Sequence, residues 1–351
     1  MPGWSRFPRV SRAVAAGSDR TLFVFLDGVG LGRDDAATNA FVTADLPVLS
    51  GLLGGRQMTA NITPLRTERA SLFALDASLG MDGTPQSGTG QAALFTGINA
   101  AKQHGRHFGP WVPASLRPLV REQSVLARAR AAGRRVAFAN AYPEELFVQL
   151  PVQQRGQPFD LKRAARAPGG GAPRFLRTGA PLAALGAGVL TRHSEALARG
   201  DAVASEITND GWRERLGRSD LPVISPQEAG ANLASIANAH DLTLFAHYST
   251  DYAGHEERLD VAARALERVD AFLGGVVGAM SVDLLLIVAS DHGNIEDCTT
   301  GHTRNPAPGL VVGDGHARIG PWTSILEVAP AILDRLLEAR PTIPTESAEG
   351  E

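Results

Sequence analysis

The chain has 351 residues, of which 44% are hydrophobic and 20% charged, with a formal net charge of -3 and a pI near 6.3. That length suggests roughly two domains or one core with a large insertion, and the near-neutral charge excludes broad electrostatic attraction to nucleic acid or an anionic membrane. The single cysteine, Cys298, excludes an intramolecular disulfide and a thiolate-rich zinc site, and fits a reducing compartment.

Residues 1 to 20 are partly basic and lack the apolar centre of a signal peptide, and no later stretch is long enough to span a membrane, so a cytoplasmic protein is expected. TLFVFLD (21 to 27) predicts a buried strand that delivers Asp27 to its carboxyl end, where open α/β sheets place ligands. In PQSGTGQAALFTGINA (85 to 100) a small polar turn precedes a helix expected to begin at Gln91. Ser87 and Thr89 then sit beside helix-start amides, a good place for an anion. Residues 115 to 133 predict a helix ended by a glycine, and 134 to 140 a strand.

Residues 143 to 225, with QQRGQ and APGGGAP, break this rhythm and predict an inserted cap over the carboxyl ends of the strands. The alternation resumes with a helix (226 to 241), a strand (242 to 248), a long amphipathic helix (257 to 280) and a strand (281 to 291) that ends in Asp291. A short strand (309 to 313) and a closing helix (323 to 340) follow. The expected architecture is a layered α/β sandwich with a mostly parallel sheet, its core spanning 21 to 142 and 226 to 340.

The residues suited to chemistry collect at the strand ends. Asp27 and Asp291 each close an apolar run, and Asp251 and His255 stand four apart in HYSTDYAGHEERLD, sharing one face if that segment is helical. Asp291 and His292 are adjacent and so diverge if the strand conformation continues. His302 lies in GHTRNP, where Gly301 and Pro306 predict a fixed loop. Asp27, Asp251, His255, Asp291, His292 and His302 make a nitrogen and oxygen donor set suited to two divalent ions, Zn²⁺ or Mn²⁺. Such a pair polarises an ester, and a hydroxyl from Ser87 or Thr89 beside it can attack phosphorus. The glycines match no dinucleotide or mononucleotide fingerprint.

With DYAGH (251 to 255), DHGNIE (291 to 296) and HTRNPAP (302 to 308), the chain resembles the alkaline phosphatase superfamily, in particular the branch of cofactor-independent phosphoglycerate mutase and phosphopentomutase. The resemblance implies a three-layer α/β sandwich with an inserted cap, one metal held by Asp251, His255 and His302, and a second held by Asp27, Asp291 and His292. It also implies Ser87 as nucleophile and metal contact, because that residue precedes Gly90 by three, whereas Thr89 does not keep the spacing. Gln91 stands where those mutases have histidine. No DGRD run of the mutase insertion occurs in 143 to 225.

The expected activity is therefore phosphoryl transfer on a small phosphorylated metabolite through a phosphoserine. Hydrolysis is favoured, with a mutase and a catalytically silent, metal-stabilised binding protein as alternatives, in a monomer or homodimer. Thr89, Gln91, Lys102, Arg106, His107, Asn209 and Trp212 are further candidates to contact the substrate.

Overall fold

A computed structural model of the protein describes residues 20–144 and 174–338. β1 (Arg20–Leu26) is buried on both faces: Leu22, Val24 and Leu26 enter one core cluster, while Phe23 and Phe25 enter another on the opposite side of the sheet. The chain continues through α1 (Ala40–Thr43), α2 (Pro47–Leu52), β2 (Leu65–Arg66), β3 (Ala70–Leu75), α3 (Ser87–Thr96) and α4 (Ala100–His104). Next come α5 (Arg117–Gln123), α6 (Val125–Ala131), β4 (Val136–Phe138), α7 (Gly179–Gly186), α8 (Ser194–Ala198) and α9 (Asp210–Glu214). The last part holds α10 (Pro226–Asn238), β5 (Leu242–His247), α11 (Ser249–His255), α12 (Leu259–Ala279), β6 (Leu284–Ala289), β7 (Ala307–Val312) and α13 (Val328–Glu338).

The strands form one sheet in the order β2-β3-β7-β6-β1-β5-β4. β4, β5, β1 and β6 run parallel, whereas β7, β3 and β2 each pair antiparallel with their neighbours. The sheet is therefore mixed rather than mostly parallel. One face is covered by α3, α5, α6, α7 and α13, the other by α1, α2, α10 and α12. Because β5 and β6 flank β1 in parallel, the carboxyl ends of the three converge, and the residues just beyond them share one edge of the sheet.

Two expectations change locally. The helix expected at Gln91 begins at Ser87, because the Gly90 amide already donates to the Gln86 carbonyl at 2.9 Å. The helix expected over 115 to 133 divides at Ser124, whose extended backbone (ψ 154°) breaks the run and whose hydroxyl caps α6 by accepting from the Ala127 amide at 3.3 Å.

Residues 145 to 173 of the expected cap lie outside the described residues. Its described part is not all cap. The small apolar sequence GAPLAALG of α7 is buried in the core layer against α3, α5 and α6, and a Cβ on Gly186 would lie 1.9 Å from the Arg121 carbonyl oxygen. Val203 bridges to Asn140 in the parallel sense, one residue past β4 and its neighbour Ala139. Among the described residues no helix is long and apolar enough to cross a membrane.

On the other face α10 and α12 pack at glycine contacts: a Cβ on Gly230 would stand 2.1 Å from the Phe272 carbonyl oxygen, and one on Gly275 2.0 Å from that of Gln227. Gly230→Ala should therefore force the two helices apart and cost about 1–3 kcal/mol. Chemical denaturation checks this, and an unchanged midpoint would mean that the helices do not touch there.

Candidate metal centre

Asp27 follows β1, and Asp291 follows β6 by two residues, so the converging strand ends bring both into one buried pocket. The backbone holds the turn after β1: the Asp27 amide donates to the His247 carbonyl at 2.9 Å, and the Asp27 carbonyl accepts from the Thr250 hydroxyl at 2.6 Å. His292 reaches the same point. Its Nε2 lies 3.4 Å from Asp27 Oδ1 and 3.7 Å from Asp291 Oδ2. Neither of those carboxylate oxygens has a hydrogen-bond partner, although both are buried.

A second group adjoins the first. On α11, Asp251 Oδ2 lies 3.3 Å from Nε2 of His255, four residues on, as the helical period requires. Asp251 Oδ1 lies 3.4 Å from His302 Nε2, and the Nε2 atoms of His255 and His302 are 3.1 Å apart. The His292 and His302 rings stack with centroids 4.1 Å apart, so one imidazole layer separates the groups. Two sets of ligand atoms fall within 4.8 Å of one another: Asp27, Asp291 and His292, and Asp251, His292 and His302. His292 thus belongs to both sets, and His255 stands at the open side of the second with a side chain 50% exposed.

Carbonyl acceptors decide which ring nitrogens are free. His302 Nδ1 is 3.1 Å from the Pro85 carbonyl and His292 Nδ1 3.2 Å from that of Gly293. A carbonyl only accepts, so each Nδ1 donates to it and each Nε2 is the nitrogen left to face the carboxylates, able to ligate a cation once it gives up its proton.

Charge in the pocket is poorly balanced by protein alone. Burial, reinforced by Asp251, raises the Asp27 carboxyl above the usual range despite its contact with His292. Burial, then the charge of Asp27, raises Asp291 still further. For His292 burial opposes protonation, yet Asp291, Asp27 and Asp251 outweigh it and hold the imidazole well above its ordinary value. For Asp251, burial is overcome by His302, His292 and Asn294, and its carboxyl is held down to about 2. Proton uptake by the buried groups substitutes for positive charge that cations would supply. The donor atoms, two imidazole Nε2 atoms and two unpartnered carboxylate oxygens among them, fit a divalent cation.

Ser87 joins this arrangement from α3. Its side chain is buried, and Oγ lies 2.9 Å from His292 Nε2. Glycines permit the approach, since a Cβ on Gly90 would stand 2.8 Å from the Asp291 carbonyl oxygen. Gln91, one turn further on, donates from Nε2 to Asp27 Oδ2 at 3.2 Å. Thr89 is turned elsewhere: its hydroxyl accepts from the Phe108 amide at 3.1 Å and faces the Gln86 carbonyl at 3.3 Å.

The remaining candidates divide. His107 is half-buried, and burial, aided by the charges of Arg304 and His292, lowers its pKa although the Ser78 backbone offsets part of the effect. Lys102 and Arg106 are exposed: the Lys102 amide is capped by Asn99, and the Arg106 guanidinium lies 5.9 Å from the Phe108 ring centre. Asn209 and Trp212 lie in the interior. Asn209 is buried and donates to the Pro222 carbonyl at 2.9 Å, and Trp212 packs in a small core with Ala141, Leu197 and Leu221.

Two supporting residues had no individual role in the sequence reading. Asn294 Nδ2 donates to Asp251 Oδ1 at 2.7 Å. Buried Glu296 accepts from the amides of Gly30 (2.8 Å) and Asn294 (2.7 Å) and from Asn305 (3.0 Å), pinning the loop between Asp291 and His302 to the turn after β1. Their only signal was membership of DHGNIE.

Residues 222–338 match the family model of the metalloenzyme superfamily. The chain is 34% identical over 125 residues to the 2,3-bisphosphoglycerate-independent phosphoglycerate mutase of Desulforudis audaxviator, covering 33% of this chain and 24% of that protein. To the enzyme of the same name from Rhodopseudomonas palustris it is 36% identical over 130 residues, covering 33% and 25%. The chain thus spans about a quarter of the length of the curated relatives it matches. Among solved structures it is similar to the PH0037 protein from Pyrococcus horikoshii, with a TM-score of 0.51 at 12% identity, covering 92% of this chain and 98% of that one. The expected resemblance to metalloenzymes, with phosphoglycerate mutases as relatives, is borne out over this part of the chain. The family match contains Asp251, His255, Asp291, His292 and His302, while Asp27 and Ser87 lie outside it and are joined to them by the fold.

Asp291→Asn removes one of two crowded buried carboxylates. In metal-free protein it should melt no lower than the parent chain. Mn²⁺ at about 100 times its Kd should stabilise the parent by about 2.7 kcal/mol and the variant by much less. Melting curves with and without Mn²⁺ decide the matter, and equal stabilisation of both would remove Asp291 from the metal site.

Proposed function

We propose that the protein transfers phosphoryl groups from a small phosphomonoester through a covalent phosphoserine at Ser87, and that the usual outcome is hydrolysis. One observation carries the reading: the Ser87 hydroxyl, at the first residue of a ten-residue helix, lies 2.9 Å from the imidazole shared by both groups of ligand atoms. Asp27, Asp291 and His292 would hold one divalent ion, and Asp251, His255 and His302 the other. When bound, the ions supply charge that polarises the ester and lowers the pKa of the serine hydroxyl.

The chain's own residues supply orientation. α3 directs its amino end, with its partial positive charge, at the place where a phosphoryl group on Ser87 would stand. Ser87 Oγ loses its proton and bonds to phosphorus, while the bond from phosphorus to the ester oxygen breaks and the alcohol leaves protonated. A water oxygen then bonds to phosphorus, the serine oxygen leaves, and inorganic phosphate is released. His292 Nε2 cannot accept from Ser87 and ligate an ion at once, so its hydrogen bond to Ser87 marks proximity rather than a general base.

The half-exposed His255 leaves the second group open toward solvent among the described residues, which supports water as the final acceptor. Transfer back to a substrate hydroxyl, a mutase outcome, is the second reading. It draws on the mutase activity for which the relatives are named, which align with about a third of this chain.

The test uses chelator-stripped protein reloaded with Mn²⁺ or Zn²⁺ and p-nitrophenyl phosphate. Rapid quenching and peptide mass analysis should place a phosphate on the Ser87 peptide, and Ser87→Ala should lose it with more than about a 10³-fold fall in kcat. Label on Thr89 would reassign the nucleophile, and no label with undiminished turnover in Ser87→Ala would end the phosphoserine reading. With a phosphorylated diol, label reaching the second hydroxyl faster than free phosphate would decide for a mutase.

A further inference from the structure

Gln91 is 1% exposed and lies four residues after Ser87 on α3, so both side chains leave the same face of the helix. Its amide has two partners of fixed character. The Gly179 amide at the start of α7 can only donate, and it meets Gln91 Oε1 at 2.9 Å. That contact turns the NH₂ group to the opposite side, where Nε2 donates to Asp27 Oδ2 at 3.2 Å. One carboxylate oxygen of Asp27 is thereby occupied. The other, Oδ1, is buried without a hydrogen-bond partner and lies 3.4 Å from His292 Nε2.

We propose that Gln91 is a positioning residue for the metal group of Asp27, Asp291 and His292, selecting which oxygen of Asp27 is presented to the ion and tying that ligand to α7. The proposal rests on the metal-dependent reading above and extends it to a residue outside the ligand set. The approach of α7 is part of the device, because a Cβ on Gly179 would stand 2.7 Å from Gln91 Cβ and 3.1 Å from its Oε1. The second group, Asp251 with His255 and His302, is oriented by Asn294 and the Pro85 carbonyl and has no described hydrogen bond to Gln91. Loss of Gln91 should therefore weaken one ion and spare its neighbour, a selectivity that general loosening of the fold would not give.

Titration calorimetry of chelator-stripped full chain with Mn²⁺ reads this without reference to activity. Gln91→Met, similar in length but lacking both hydrogen bonds, should weaken one of two binding events by about 10–100-fold and leave the other within about twofold. Gln91→Asn keeps the amide but is one methylene too short, and should behave like Gln91→Met. Gln91→His offers a donor and an acceptor on opposite ring nitrogens and should recover most of the lost affinity. Should the Gln91 variants fold poorly, Gly179→Ala, which displaces the side chain without removing it, should show the same one-site loss. Two unaltered events in Gln91→Met, or equal weakening of both, would overturn the proposal while leaving the metal-dependent reading in place. A parent chain that binds no Mn²⁺ would overturn both.

Discussion

Like charge in a dry place is the constraint around which this molecule is arranged. Asp27 and Asp291 stand together at the ends of adjacent apolar strands, with Asp251 close by, and none of the three has an arginine or lysine as an ion-pair partner among the described residues. Bringing two carboxylates into such a pocket costs several kcal/mol per ion unless charge of the opposite sign accompanies them. The protein offers imidazoles, which become cations only by taking up protons, and leaves carboxylate oxygens unpartnered. Divalent ions remove both costs at once, which makes the site a source of stability as well as of chemistry.

Rigid support surrounds that pocket. The parallel trio β5, β1 and β6 delivers two of the acids, α11 delivers Asp251 and His255, and Glu296 clamps the loop that carries His302. Gly90 lets α3 approach Asp291, and α3 brings Ser87 and Gln91. Ser87 and the candidate ligands thus come from separate parts of the chain, held together by hydrogen bonds and close helix contacts.

The chemistry was more legible in the sequence than the architecture. Asp27 and Asp291 announced themselves by closing apolar runs, and Asp251 with His255 by their helical spacing, since each pattern reports a local geometry that tertiary packing preserved. His302 was legible only as a histidine in a fixed loop, because the carbonyl that orients it, that of Pro85, lies 217 residues away. β3 was not among the expected strands, and the direction of β7 was illegible, because a short buried run reads the same for either sense; antiparallel pairing of the two turned the expected mostly parallel sheet into a mixed one. Trp212 looked available to substrate and is core, and GAPLAALG looked like part of a cap and is a core helix. In each case the deciding contacts are with distant segments.

The proposed chemistry needs two cations in two defined positions. The most direct measurement is anomalous X-ray scattering from crystals of the Mn²⁺-loaded chain at the manganese absorption edge. Two peaks are predicted, one among Asp27, Asp291 and His292 and the other among Asp251, His255 and His302, with Ser87 Oγ between or beside them. A loaded crystal with no anomalous peak at these residues, or with a single peak remote from Ser87, would contradict it.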